Sequence, residues 1–298
     1  EFLTELNIPP NVTHIGDFAF SGCTKLTRII IPSTVTSIGQ KAFRGCSSLR
    51  QIIIPESVTT IELATFKGCR SLKEISLPST LRTIGTSAFE GCSSMTKIEI
   101  PESVTTIGNS AFYECKSLSE IHLPESITDI EEYAFDGCVS LTHFTIPPNV
   151  TKIAKFTFWL CTSLQEINVH EQVTFIGEYA FKGCSSLAEF VIPKSVSFIG
   201  EGAFDNCSAL KELSLPDSIS AIPPNCFLNC SNLENVVIPS SVTEIGKFAF
   251  WLCTSLHNIE LPDSVTSIGE SAFKECTSLE EVNVPSSVAS IGVAAFRG

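Results

Sequence analysis

The stretch LTRIIIPSTVTSIGQKAFRGCSS (residues 26–48) is one copy of a pattern that returns every 23 residues along the chain. A phenylalanine stands three residues before each cysteine of the pattern, and a leucine, once replaced by Met95, stands three residues after it. A strict internal period of this length predicts a repeat architecture rather than the two ordinary domains that 298 residues could hold. The twelve cysteines that mark the period are Cys23, Cys46, Cys69, Cys92, Cys115, Cys138, Cys161, Cys184, Cys207, Cys230, Cys253 and Cys276.

Each repeat contains three predicted segments. Residues 26–32 (LTRIIIP) are rich in β-branched side chains, which favours a strand that the proline ends. Residues 35–39 (VTSIG) predict a second short extended piece, and residues 40–46 (QKAFRGC) have the apolar spacing of a single helical or 3₁₀ turn. A unit this small cannot bury its apolar face alone, so the repeats must stack on one another as a solenoid.

The repeat LxxIxIPxxVTxIGxxAFxGCxxL resembles the leucine-rich repeat, and specifically the 23-residue BspA-like type of bacterial and protist surface antigens. The resemblance covers the whole chain in thirteen registered copies. It implies an α/β leucine-rich-repeat solenoid, right-handed and curved, with a concave parallel β-sheet and a convex side of short strands and 3₁₀ or helical turns. We expect one domain over residues 1–298, of about 13 repeats, that begins and ends within a repeat.

The position after the strand departs from the general leucine-rich pattern. The usual Asn or Cys is mostly Ser or Thr here, as at Thr34, Ser57 and Ser103. Every occupant is polar and able to bond to the backbone of the turn. We therefore expect a ladder of hydroxyl groups in place of an asparagine ladder.

Composition excludes several classes of function. The formal net charge of -13 argues against nucleic acid or an anionic membrane surface as partner. No apolar run approaches the ~20 residues of a membrane-spanning helix, so we expect no membrane insertion within this segment. The sequence has no GxSxG, HExxH, phosphate-binding loop or Cys/His metal spacing. We therefore expect no catalytic residues, no metal and no cofactor.

The cysteines at one phase predict a column of thiols about 4.8 Å apart. Flanked by inward Phe and Leu, they are interpreted as small, buried apolar side chains. Disulfides are the alternative, but side chains stacked in parallel do not easily reach the ~90° torsion of a disulfide. Cys226, four residues before Cys230, forms the one local pair that could behave differently.

The third and fifth positions of the first strand predict the exposed side chains of the concave face. Glu120, His122, His143 and Glu166 come together there, either as a divalent-metal site or as a solvated polar surface. Like charges one repeat apart are unfavourable, and either a cationic partner or solvent and salt would relieve them. The acidic column is Glu120, Glu166, Glu189, Glu212 and Glu281.

Both tryptophans of the chain lie in two unusual repeats, FTFWLC (156–161) and FAFWLC (248–253). Each tryptophan either folds back on its own repeat or is part of an exposed interface on the convex side. The predicted aromatic patch comprises Tyr133, Phe156, Trp159, Leu160 and Tyr179. A weaker copy comprises Phe248, Trp251 and Leu252.

Three classes of function remain: a protein-recognition or adhesion scaffold, a structural element that self-assembles end to end or through the convex aromatic patch, and an enzyme with a site near residues 120–166. The family resemblance and the absence of catalytic motifs favour the first. The resemblance implies that the parent protein is on a cell surface or secreted. We expect a host or matrix surface protein as partner, with a glycan as the alternative ligand.

Overall fold

The chain folds into short strands and turns. A computed structural model describes residues 3–298, which divide into two compact units, residues 3–150 (unit 1) and residues 151–298 (unit 2). The predicted parallel β-solenoid is confirmed for the repeats of each unit, whereas a single domain over residues 1–298 stays a prediction. Nowhere in residues 3–298 is there a helix of the length and hydrophobicity needed to cross a bilayer.

Unit 1 contains two kinds of strand that alternate along the chain. In the three-residue strands the central side chain points inward and its two neighbours face solvent, as the period of a strand requires. The strands are β1 (Glu5–Asn7), β2 (His14–Ile15), β3 (Arg28–Ile30), β4 (Ser37–Ile38), β5 (Gln51–Ile53), β6 (Thr60–Ile61), β7 (Glu74–Ser76), β8 (Thr83–Ile84), β9 (Lys97–Glu99), β10 (Thr106–Ile107), β11 (Glu120–His122), β12 (Asp129–Ile130) and β13 (His143–Thr145).

The strands of unit 1 pair in parallel with the strand of the same kind one repeat away. The strands that begin two residues after the leucine (or Met95) of each repeat are called first-sheet strands here; in unit 1 they are odd-numbered and pair as β1–β3, β5–β7 and β9–β11. The even-numbered, second-sheet strands pair as β2–β4 and as β6–β8–β10–β12. Residues 23 apart are always opposite, as in Glu5 and Arg28, so the sequence period is also the register.

Unit 2 has the same construction with more interruptions. Its strands are β14 (Lys152–Ile153), β15 (Glu166–Asn168), β16 (Phe175–Ile176), β17 (Phe198–Ile199), β18 (Glu212–Ser214), β19 (Ala221–Ile222), β20 (Asn235–Val237), β21 (Glu244–Ile245), β22 (Asn258–Ile259), β23 (Ser267–Ile268) and β24 (Ser290–Ile291). The first-sheet strands β18, β20 and β22 pair in order. The second-sheet strands form two groups, β14–β16–β17 and β19–β21–β23–β24.

A stack of phenylalanines forms the centre of each unit. In unit 1 the rings from Phe20 to Phe135 lie parallel, with neighbouring centroids 5.3–5.6 Å apart. In unit 2 the rings from Phe158 to Phe296 repeat this arrangement at 5.2–5.7 Å. Burying one such side chain favours folding by about 2 kcal/mol, so the column is a large part of the apolar driving force.

The third segment of each repeat is a series of turns, and the predicted α/β class with its helical or 3₁₀ turns is wrong. Within QKAFRGC, the N–H of Cys46 bonds to the carbonyl of Phe43 at 3.1 Å, but the N–H of Phe43 bonds to Thr65 of the next repeat at 2.9 Å. Alternate N–H groups thus leave the repeat instead of closing a helix. Lys41 and Gly45, at φ 56° and 73°, are left-handed, which interrupts any right-handed helical turn.

The predicted hydroxyl ladder is confirmed in both units, except at Ser241, whose buried hydroxyl has no partner among residues 3–298. The hydroxyls of Thr34 and Ser126 donate to backbone carbonyls 22 residues earlier, at 2.7 and 2.6 Å. Ser195 and Ser264 do the same in unit 2, both at 2.6 Å. Because each bond joins one repeat to the one before, this polar column fixes the spacing of the repeats.

Candidate partner-binding surfaces

The cysteine column is structural in both units. All thirteen cysteines are free thiols, including Cys226 and Cys230, and all except half-buried Cys23 are buried. In ten repeats the thiol donates to the carbonyl oxygen of the phenylalanine 26 residues earlier, with S···O distances of 3.1–3.3 Å. The sulfur therefore fills a small apolar space and also bonds one repeat to the previous one.

The buried thiols have little chemical reactivity. Burial raises the pKa of Cys115 and of Cys276 from 9.0 to about 12. A thiol that stays protonated is neither a nucleophile nor a metal ligand. Among residues 3–298 there is also no group of three or more His, Cys, Asp or Glu side chains placed to hold a metal ion.

The predicted polar residues of unit 1 lie on the exposed face of the first-sheet strands. Glu120 and His122 stand at the two ends of β11, with His122 Nε2 3.5 Å from Glu120 Oε1, and His143 begins β13. The ring of His143 contacts the hydroxyl of Thr142 at 3.0 Å. Lys97 lies directly opposite Glu120, so the acidic column is partly neutralised in this unit.

In unit 2 the predicted acidic residues are also exposed. Glu166 begins β15, Glu212 begins β18, and Glu189 forms an isolated parallel bridge to Glu212. Two carboxylates directly opposite on a sheet repel each other. This part of the surface therefore favours contact with a cation.

Exposed aliphatic side chains on the same strands were not among the predicted site residues. Ile30 and Ile53 follow one another on β3 and β5, and Ile53 is 71% exposed. They line an open groove of about 860 Å³ together with Arg28 and Lys97. The sequence places this fifth position of the strand on the exposed face, where other repeats have Ser, Glu or His, but the aliphatic side chains at this position were not proposed as a binding surface.

Unit 2 carries a comparable groove of about 890 Å³. Val191 and Val237 line it and are 80% and 62% exposed, with Ser214 of β18 at the same phase between them. Glu212 and Lys194 also line it. Both units thus place aliphatic side chains between charged ones on the first sheet.

The aromatic patch is present in unit 2 as a set of contacting rings. Phe156 stacks on Tyr179 with centroids 5.4 Å apart and packs against Trp159 at 5.3 Å. Leu160 is 44% exposed, whereas the three aromatic side chains are half-buried. Tyr133, the fifth member of the predicted patch, belongs to unit 1 and is half-buried there.

Polar groups hold Tyr179 in place. Its hydroxyl donates to Glu201 Oε1 at 2.5 Å, and the ammonium of Lys182 lies 5.2 Å from the ring centroid. Lys182 also pairs with buried Asp205 at 2.7 Å. Burial, followed by the bond to Glu201 and nearby carboxylates, raises the pKa of Tyr179 from 10.0 to about 12.

The weaker copy has the same internal contact without an aromatic neighbour. Phe248 packs against Trp251 at 5.2 Å, and the ammonium groups of Lys247 and Lys274 lie over the two rings. Leu252 follows, half-buried. The indole N–H groups of Trp159 and Trp251 are buried and have no acceptor among residues 3–298. Each tryptophan therefore rests on its own repeat and retains an unused donor.

A family model for the BspA type leucine rich repeat region matches six copies in this sequence, over residues 2–101, 82–211 and 174–298. No curated protein matches the chain.

Solved structures of bacterial leucine-rich repeat proteins are similar to it. One from Bacteroides ovatus is 37% identical with a TM-score of 0.85, over 100% of this chain and 86% of that one. A leucine rich cell surface protein from Faecalibacterium prausnitzii is 32% identical with a TM-score of 0.66, over 95% and 88% of the two chains. One from Eubacterium ventriosum is 26% identical with a TM-score of 0.61, over 99% and 82%.

Proposed function

Because the chain belongs to the BspA-type leucine-rich repeat family, we propose that it is a non-enzymatic scaffold for protein recognition and adhesion, carried by a cell-surface or secreted protein. Repeat proteins of this family are protein-interaction scaffolds. The similar protein from Faecalibacterium prausnitzii is described as a cell surface protein, which supports the proposed location. The partner is a host or matrix surface protein.

One observation supports this function most strongly, namely the exposed aliphatic side chains on and beside the first-sheet strands. Ile53, on β5, and Val191, two residues after the isolated bridge at Glu189, are both more than two-thirds exposed. Desolvating such side chains on binding favours association, and the surrounding Arg28, Lys97 and Glu212 supply charge specificity. The face therefore has the apolar centre and polar rim of a protein interface.

Binding of the purified chain to immobilised matrix proteins and host-cell surface proteins tests the proposal. We expect saturable binding that weakens about tenfold in Ile30→Ser/Ile53→Ser or in Val191→Ser/Val237→Ser, since truncating a central apolar contact typically costs more than 1 kcal/mol. Serine is the matched replacement, because Ser76 and Ser214 already occupy this phase. Val293→Ser, at a 79% exposed position outside the sheet, is the control. Equal binding by all variants, or by none of the proteins tested, would overturn the proposal.

We also propose self-association through the aromatic patch of unit 2. Leu160 and Leu252 lie at φ 56° and 65°, at a phase where Gly137 and Gly183 stand in other repeats. A bulky residue held in the left-handed region is unfavourable and is often retained for function. Both leucines directly follow a tryptophan. The patch thus retains apolar side chains where glycine would relieve backbone strain.

Sedimentation equilibrium of the native chain and of Trp159→Ala tests this second function. We expect the dissociation constant of the self-complex to rise about fivefold in Trp159→Ala while the fold is unchanged, since truncating an interfacial tryptophan commonly costs 1 kcal/mol or more. A monomeric native chain at all concentrations would exclude it. Loss of stability without a change in association would show that Trp159 belongs only to the core.

A further inference from the structure

An aromatic pair on the second sheet of unit 2 belongs to neither proposed surface. Phe175 of β16 and Phe198 of β17 are opposite each other in register, and their rings are 4.6 Å apart and 6° from parallel. Phe198 is 45% exposed. Among residues 3–298 its only ring contact is Phe175, so one face of Phe198 has no aromatic neighbour.

The second sheet is interrupted directly beside that free face. Gly200 donates its N–H to Ile176 and Gly246 donates to Ile222, both at 2.8 Å. Pro223 stands at the same phase between them and has no N–H to give to Ile199. The strands β17 and β19 are consequently not hydrogen-bonded to each other.

Beside the free face of Phe198, a small side chain in the next repeat leaves a slot with an apolar wall and an acidic edge. At the phase of Phe175 and Phe198, the next repeat carries Ala221, whose methyl group does not fill the place of a ring. Glu244 lies directly opposite Ala221 on β21, about 4.8 Å further along the sheet. Glu244 is exposed and forms no ion pair in the described part of the chain.

We propose that the slot formed by Phe198, Ala221 and Glu244 binds the guanidinium group of an arginine side chain of a partner protein. The spacing of Phe175 and Phe198 shows that one planar group fits each repeat at this phase. A guanidinium is planar and weakly hydrated, stacks on aromatic faces, and donates to carboxylates in a fork, whereas a lysine ammonium is a compact, strongly hydrated charge. With eight Lys and Arg against sixteen Asp and Glu in residues 151–298, the field of unit 2 also attracts a cation.

The slot shares no residue with the first-sheet grooves or the aromatic patch, so its test is independent of the proposed functions. Amide NMR of the isotope-labelled chain is recorded while N-acetyl-arginine amide is added. We expect saturable shifts at residues 198, 221 and 244. N-acetyl-lysine amide and N-acetyl-citrulline amide, which lack the planar shape or the charge, should bind about threefold more weakly or worse.

Three variants test whether the arginine compound binds in the slot. Ala221→Phe continues the aromatic stack and fills the slot, so it should abolish the shifts while the chain stays folded. Glu244→Gln should weaken binding about threefold, and Glu260→Gln, directly after β22, should leave it unchanged. Equal binding of the three probes, or unchanged binding by Ala221→Phe, would overturn the proposal. Tighter binding of free arginine than of the blocked amide would also overturn it, because the ligand would then be a free amino acid.

Discussion

The ring of Tyr179 lies over the α-carbon of Gly202, in the space that a side chain at position 202 would fill. A Cβ at Gly202 would be 2.3 Å from Tyr179 Cε1 and 2.4 Å from Cδ1. Gly202 therefore allows Tyr179 to reach Glu201 and to stack on Phe156 at the same time. The glycine is part of the aromatic patch although it has no side chain.

Gly202→Ala should destabilise unit 2 by about 2 kcal/mol, because the ring must rotate away from both contacts. The backbone alone accepts alanine, since Ala64 and Ala294 occupy this phase at φ 52° and 56°. Chemical denaturation measures the loss of stability, and near-UV circular dichroism reports the change in the environment of the Tyr179 ring. In a Tyr179→Ala background the same substitution should cost clearly less. An equal cost in both backgrounds would contradict the proposed contact.

The period of the sequence made the buried positions predictable, but not the conformation of the third segment. Two positions of each repeat are left-handed, represented by Lys41 and Gly45. Glycine recurs at the second of these positions, and a recurring glycine indicates a left-handed backbone there. The first accepts residues as different as Phe18, Ser87 and Asn225, so no residue type announces it. Spacing alone therefore favoured a helical turn where the chain forms a ladder of turns.

Thiol titration should distinguish the buried cysteines of the column from the half-buried Cys23 of unit 1. At mildly alkaline pH, a thiol reagent should react rapidly with Cys23 alone in the folded chain, and with all thirteen cysteines after unfolding. The reason is that the other thiols are buried; burial also raises the pKa of such a thiol, to about 12 for Cys46, and so removes the reactive thiolate. Rapid reaction of several thiols without unfolding, or a total below thirteen after unfolding, would contradict the structure.

Asp136 should make unit 1 less stable as the pH rises. It is 4% exposed, and burial, with repulsion from Glu114, raises its pKa from 3.8 to about 7. The folded chain thus binds the proton more tightly than the unfolded chain. The free energy of unfolding should fall between about pH 4 and pH 7, by on the order of a few kcal/mol, and be level above that range.

Asp136→Asn should remove this slope and stabilise the chain above pH 7, as measured by urea denaturation across the range. Asp205→Asn is the matched control. Asp205 occupies the same position of the repeat in unit 2, and burial raises its pKa as well, but the ion pair with Lys182 at 2.7 Å opposes that rise. We therefore expect a smaller stabilisation and a weaker pH dependence from that change. Identical slopes for native and Asp136→Asn chains would disprove the assignment.

The candidate surfaces were predictable to different degrees. Phe156 and Tyr179 share a phase, so the period alone predicts that they stack. The slot beside Phe198 combines the small side chain of Ala221, which the sequence shows, with a break in the sheet at Pro223, which appears only when the donors at Gly200 and Gly246 are known. The position of a residue within its repeat can thus be read from the sequence, whereas a break in the hydrogen bonding of the sheet is seen only in the structure.

Leu160→Gly should raise stability while it weakens self-association. Glycine adopts the left-handed backbone without the clash of a Cβ, which stabilises the folded chain by about 1–2 kcal/mol. The greater conformational freedom of glycine in the unfolded chain offsets about 0.5–1 kcal/mol of this gain. The expected net gain is about 0.5–1 kcal/mol in denaturant unfolding. The same change removes a 44% exposed apolar side chain from the patch, so sedimentation should show weaker self-association. Leu160→Asn is the companion variant, because Asn206 and Asn229 hold this conformation at φ 62° and 56° and present no apolar surface. If both variants associate as the native chain does, Leu160 takes no part in an interface, and its left-handed conformation has no functional explanation in this surface.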